Sequence, residues 1–341
     1  MIIRRKFLSA LGGGLLGASS LFGQSSLSGG ILSGGILGFP NNVIIDTDIA
    51  SDCDDTSDIA AIFALQPIWT VIGIIVSSLN TSSPMAADAV ARFCGTTFPA
   101  NIGVNQASTP SGSTPNSSAY TVQLASRFVP GQVYADYPEA VSTYRRLLAG
   151  CPNNSVTIIM IGFATPMAGL LQSSADGYSS LNGIQLVTAK VKQVCIASGY
   201  LPNSAGYDGG TPEFNLASDS VAYSYVAANC PVPIIWGGIE MATYQCGPPS
   251  GADPTVSPVK YAYNLYGQPT RPAYSQGAIY GSAGGAYLAD YAFGGSNGTM
   301  TINSSTGADT WTSTAGESSY LTKVASDATL QAAFNALIAA A

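Results

Sequence analysis

The 341-residue sequence contains no histidine. That absence excludes imidazole acid–base catalysis, Ser-His-Asp and Cys-His nucleophile activation, and every His-ligated metal site. Charge is scarce as well. Asp, Glu, Lys and Arg make up 9% of the chain, against about 25% in ordinary soluble domains. The charge that exists is acidic: 19 Asp and Glu against 12 Lys and Arg, a formal net charge of −7. There is no basic footprint for a nucleic acid polymer and no polybasic patch for an anionic membrane surface. The six cysteines form no C-x-x-C pair. Their even number permits disulfides in an exported chain, and packing as small buried hydrophobes is the alternative. Any catalysis must rest on carboxylates, Cys, Tyr, Ser/Thr, amides or a hard metal ion.

Hydrophobic residues make up 46% of the chain, so a large core is available. Residues 1–24 read differently from the rest. Arg4, Arg5 and Lys6 precede a Gly-rich, mildly apolar stretch that runs to Phe22. It is short of the roughly 20 strongly apolar residues a stable membrane span needs. The Arg4-Arg5-Lys6-Phe7-Leu8 pattern resembles a bacterial twin-arginine export signal, with an ordinary secretory signal as the alternative. The expected location is therefore periplasmic or extracellular, without stable membrane insertion. Residues 25–40 form a Gly/Ser-rich linker in which Ser-Gly-Gly-Ile-Leu occurs twice. Residues 41–341 then form the domain.

From residue 43 to 236, short β-branched runs alternate with helical periodicity. Strands are expected at 43–45, 71–76, 156–161, 192–197 and 232–236. Helices are expected at 55–66, from Pro84 onward, and at 138–149, 166–172 and 219–228. This order predicts an α/β fold with a mostly parallel central sheet and helices on both faces. The text after 250 predicts a loop-rich C-terminal part that closes with a helix at about 327–340.

Six carboxylates fall within residues 46–58: Asp46, Asp48, Asp52, Asp54, Asp55 and Asp58. They follow the first strand and enter the first helix, where parallel α/β sheets bind ligands. Carboxylates so crowded repel one another, and a hard divalent cation relieves the repulsion. All-oxygen ligation suits calcium or magnesium. The alternative is a solvated acidic loop with an aspartate favoured by the helix dipole.

The segment Asp46-Thr47-Asp48-Ile49-Ala50-Ser51-Asp52-Cys53-Asp54-Asp55 resembles the N-terminal fingerprint of the inosine-uridine-preferring nucleoside hydrolases, with Ala50 where that loop has Gly. Further segments resemble the family in order: Val76 to Asn80, Val156 to Leu171, Gly210 to Asn215, Cys230 to Glu240, and Gly307 to Trp311 followed by Tyr320-Leu321. The resemblance implies hydrolysis of the N-glycosidic bond of a small-molecule nucleoside, with Ca2+ as cofactor. It implies Asp48 as general base, and Asp48, Asp55, Thr165 (through its carbonyl) and position 275 around the metal. Asp54, Asn80, Glu213 and Asn215 would bind the ribose. Two departures stand out. Ser275 occupies the place of a metal-binding Asp, and no His is present to protonate the leaving base. These departures motivate an alternative, an exported nucleoside- or pentose-binding protein on the same fold. Tyr200, Tyr207, Trp236, Tyr244 and Tyr274 are candidates to stack on the base, and Glu240 to donate a proton. Homo-oligomerisation stays open.

Overall fold

The computed structural model describes residues 41–108, 119–202, 212–238, 243–313 and 316–341. The expected signal and linker, together with Tyr207, Gly210, Thr211 and Glu240, lie outside the described residues.

The chain opens with β1 (Asn42–Thr47), α1 (Asp54–Ala64), β2 (Thr70–Val76), α2 (Ser83–Phe93) and β3 (Ile102–Val104). Then come α3 (Ala119–Phe128), α4 (Ala140–Ala149), β4 (Val156–Met160), α5 (Thr165–Gln172), α6 (Gly183–Lys190) and β5 (Val191–Ala197). The next elements are α7 (Phe214–Ser218), α8 (Ser220–Asn229), β6 (Ile234–Gly237), β7 (Gln245–Cys246), α9 (Pro258–Tyr266) and β8 (Arg271–Pro272). The last are α10 (Gln276–Ala283), α11 (Gly285–Leu288), β9 (Tyr291–Ile302), β10 (Asp309–Thr312), β11 (Ser318–Lys323) and α12 (Asp327–Ala340).

Nine strands form one sheet in the order β10-β9-β11-β6-β5-β4-β1-β2-β3. From β11 through β3 neighbouring strands are parallel, and β9 and β10 extend the sheet antiparallel. Every residue of β1 and β4 is buried, as a strand covered on both faces requires. On one face Ile44, Ile158, Met160, Val194 and Ile196 pack with Tyr144, Leu147, Met167, Leu170 and Tyr223. On the other, α1, α2, α9 and α10 assemble, with α10 against β5 and β6.

The mostly parallel α/β fold is thus present. Within the C-terminal part the structure adds regular elements that the sequence reading did not contain, chiefly the twelve-residue strand β9 and its partners β10 and β11. All six cysteines are unpaired: Cys151 and Cys230 are half-buried and the other four are buried. Among the described residues no helix is long and apolar enough to cross a membrane.

Candidate active site

β1 ends at Thr47, and the next residues turn over the carboxyl edge of the sheet before α1 begins. Alternation along the strand sends Asp46 and Thr47 to opposite faces. Asp46 is buried and accepts a 2.7 Å bond from the Tyr144 hydroxyl. The Thr47 hydroxyl donates to Asp55 at the start of α1. Thr47 therefore ties the strand end to the helix that carries the next carboxylates.

The loop between is held close against the segment after β4. A Cβ on Gly162 would meet the Asp48 backbone nitrogen at 2.2 Å and the Thr47 carbonyl carbon at 2.6 Å. Glycine is required there by proximity. Ala50 has a φ of 150°, a conformation that suits glycine.

A cavity of about 420 Å³ opens at this edge, within the range of small-molecule sites. Asp48, Asp54, Asp55, Glu213, Asn215 and Ser275 all line it. These residues come from three distant stretches of the sequence, and the fold brings them together. Asp48 accepts a 2.7 Å bond from the Ser51 hydroxyl. Burial pushes its carboxyl up to about 7. Burial, reinforced by neighbouring carboxylates, also raises Asp54 and Asp55 well above the usual range. Glu213 caps the N-terminus of α7, accepting from the backbone amides of Asn215 at 3.0 Å and Leu216 at 3.2 Å. The Ser198 hydroxyl donates to it as well. Burial raises the Glu213 carboxyl.

Two expected site residues lie elsewhere. Thr165 does not line the cavity. It is the first residue of α5, and its amide and hydroxyl donate to Asp219 at 2.7 and 2.8 Å. Ile161, just past the end of β4, lines the cavity instead. Asn80 is buried and not among the lining residues, and its amide oxygen accepts from the amide and hydroxyl of Ser82 at 2.9 and 2.6 Å. Of the aromatic candidates, Tyr200 and Tyr274 line the cavity. Trp236 is fully buried in the core, and Tyr244 is buried with its hydroxyl facing that of Tyr291 at 3.5 Å.

The structure adds residues that the sequence reading gave no role. Phe214 lines the cavity and is strongly exposed; its place between Glu213 and Asn215 was the available signal. Arg271 is the one Lys or Arg among the lining residues, and it is bound by Asp52, also a lining residue. Asp58, already one of the six carboxylates of the acidic run, lines the cavity too, one helical turn beyond Asp54, a spacing that puts both on one face of α1.

Carboxylate and hydroxyl oxygens without imidazole or thiolate are the donors a hard divalent cation takes. Asp48, Asp54, Asp55 and Asp58 share the cavity wall, while its one basic side chain is engaged by Asp52. In donor chemistry the residues fit calcium. Among the described residues no three or more Asp, Glu or Cys side chains are grouped so as to hold an ion by themselves. Backbone and hydroxyl oxygens would have to complete the shell.

No family model matches the chain, and no curated protein matches it in sequence. Solved structures do match in fold. A plant nucleoside hydrolase aligns at 15% identity with a TM-score of 0.61, covering 89% of this chain and 100% of that one. An inosine-guanosine nucleoside hydrolase aligns at 16% identity and TM-score 0.59, covering 87% of this chain and 98% of that one. The type III effector protein XopQ, solved with adenosine diphosphate ribose, aligns at 14% identity and TM-score 0.60, covering 88% and 94%. The chain therefore has the fold of these nucleoside hydrolase structures, with its carboxylate-lined cavity at the carboxyl edge of the parallel strands.

Proposed function

We propose that the protein hydrolyses the N-glycosidic bond of ribonucleosides, releasing free base and ribose. The observation that carries this reading is the convergence of Asp48, Asp54, Asp55, Glu213 and Asn215 on one cavity of a nucleoside-hydrolase-like fold. The reaction needs a water held below the anomeric carbon, deprotonated as the sugar gains oxocarbenium character. Asp48 is the general base. Its carboxyl is buried at the cavity wall and held by the Ser51 hydroxyl, so it is fixed in place to take a proton from water. Asp54, Glu213 and Asn215 hydrogen-bond the ribose and align it. Glu213 is immobilised by its amide and Ser198 bonds, so it loses little freedom on binding. Phe214, Tyr200 and Tyr274 offer ring faces to the base. Calcium would be held by Asp48 and Asp55 with neutral oxygens; when bound, it would acidify water and grip vicinal hydroxyls.

The test is to incubate the protein with a nucleoside panel, with and without calcium, and assay free base and ribose. Base release that depends on calcium and disappears in Asp48→Ala, with the fold retained by circular dichroism, is the expected outcome. No base from any nucleoside at saturating calcium overturns the reading. Ser275, in the place of an acidic ligand, favours a second reading as a nucleoside- or pentose-binding protein, for which calorimetry would then show binding without turnover. Residues 1–24 are proposed to direct twin-arginine export to the periplasm or beyond. Changing Arg4 and Arg5 both to Lys should leave the protein in the cytoplasm, and unchanged export would refute this assignment.

A further inference from the structure

Cleavage of an N-glycosidic bond makes a demand that the carboxylates cannot meet. As the bond breaks, its electron pair goes with the base, which departs as an anion unless something offsets the charge. The sequence has no histidine to donate a proton. The carboxylates lining the cavity would repel such an anion, and Arg271 is the one cationic side chain among the described lining residues. Burial separates two ends of the cavity. Asp48, Asp54, Asp55 and Asp58 are buried. Asp52 and Arg271 are half-buried, and the rings of Phe214 and Tyr274 are exposed. The sugar-facing carboxylates thus form a floor, and Arg271 stands at the rim beside the rings that would flank a base.

The Arg271 side chain is held at that rim by several partners. Its Nη2 donates to the Asp52 carboxylate, and its Nη1 donates to the Gln268 side-chain oxygen at 2.7 Å. The guanidinium carbon lies 5.2 Å from the centroid of the Tyr266 ring on α9, a cation–π distance. Asp52 is fixed in turn, because its backbone carbonyl accepts from the Tyr120 hydroxyl on α3. Tyr120 meets Tyr266 edge to face, with centroids 6.3 Å apart, which closes the circuit. Only two of the guanidinium's five N–H groups are used by these bonds. Each Nη keeps a second N–H, and Nε has no partner. A charged donor fixed in this way need not reorganise when charge develops beside it.

We infer that Arg271 is the leaving-group residue of the reaction: its guanidinium donates to an acceptor atom of the base and offsets the negative charge that arrives as the bond breaks. This assignment rests on the N-glycosidic cleavage proposed above. The water oxygen bonds the anomeric carbon, and its proton passes to Asp48. The electron pair of the broken bond goes to the base nitrogen. The base anion, held against Arg271, takes a proton from solvent on release, and Asp48 returns one. Arg271 transfers no proton, since a guanidinium stays charged at any working pH.

Substrates that differ in their leaving group test the assignment, with calcium present throughout. Unmodified nucleosides are compared with para-nitrophenyl riboside, whose leaving group is a stable anion, and with N7-methylguanosine, whose base departs neutral. Arg271→Gln is measured beside Asp52→Asn/Arg271→Gln, which leaves no carboxylate unpaired, and circular dichroism verifies the fold of each. In both variants kcat on unmodified nucleosides should fall by on the order of a hundredfold, while the two activated substrates change little. Equal losses on both substrate classes would mark Arg271 as a structural tie and overturn the assignment. Turnover of unmodified nucleosides at the wild-type rate would overturn it too. A wild type that cleaves only the activated substrates also overturns it, yet leaves glycosidic cleavage standing. A wild type that cleaves neither class overturns both.

Discussion

Ala50 sits between two of the cavity carboxylates with a φ of 150°. An L-residue held there stores on the order of 1–3 kcal/mol. Ala50→Gly should therefore raise thermal stability, with or without calcium; a lower melting temperature would show the loop to be unstrained. Asp309 poses a different problem. It is buried, its Oδ1 accepts from the Tyr200 amide at 3.2 Å, and its Oδ2 has no partner. Burial pushes its carboxyl up to about 6, against about 3.9 in an unfolded chain. Between those values the folded state binds more protons than the unfolded one, so this group's contribution to stability falls as pH rises from about 4 through 6. Asp309→Asn should remove that loss. It should raise the melting temperature at pH 7.5 by on the order of 2–4 °C and change it little at pH 4. Equal shifts at both pH values would show that ionisation is not the cause.

The elements that carry the site were legible because their sequences combine burial with a change of period. Val43–Ile45 reads as a strand, Ile59, Ile62 and Phe63 read as a helix face, and the carboxylates fall between them. Strand β4 and helix α5 were read from the same contrast. The C-terminal strands β9 to β11 were not, because their Gly, Ser and Thr residues carry little hydrophobic alternation. Their pairing is set by tertiary contact. Thr165 and Asn80 show a second limit. Both lie near the strand ends where ligands bind, and the sequence could not show that Thr165 bonds Asp219 and Asn80 bonds Ser82. Asp58 shows a third, since a helical i,i+4 spacing places it beside Asp54 but cannot show that Ser275 lines the same cavity. At this scale Gly162 is a sensitive joint beside the site. Gly162→Ala would drive a methyl into the Asp48 and Thr47 backbone. We expect a loss of roughly 1–3 kcal/mol together with loss of base release. A variant with full activity would show that the loop can shift without harm.

At the scale of the whole molecule, the described domain should stand by itself. A protein starting at residue 41 should fold and cleave nucleosides as the full chain does, and an unfolded product would assign residues 1–40 a structural part. The domain also contains six unpaired thiols. Burial raises Cys53 and Cys151 above their ordinary value and pushes Cys94, Cys195 and Cys246 up to about 12 and Cys230 to about 11. The thiolate is the reactive form, so these sulfurs are poor partners for peroxide, glutathione or one another. Folding of the described domain therefore waits on no disulfide, and burial leaves these sulfurs little thiolate to offer an oxidant.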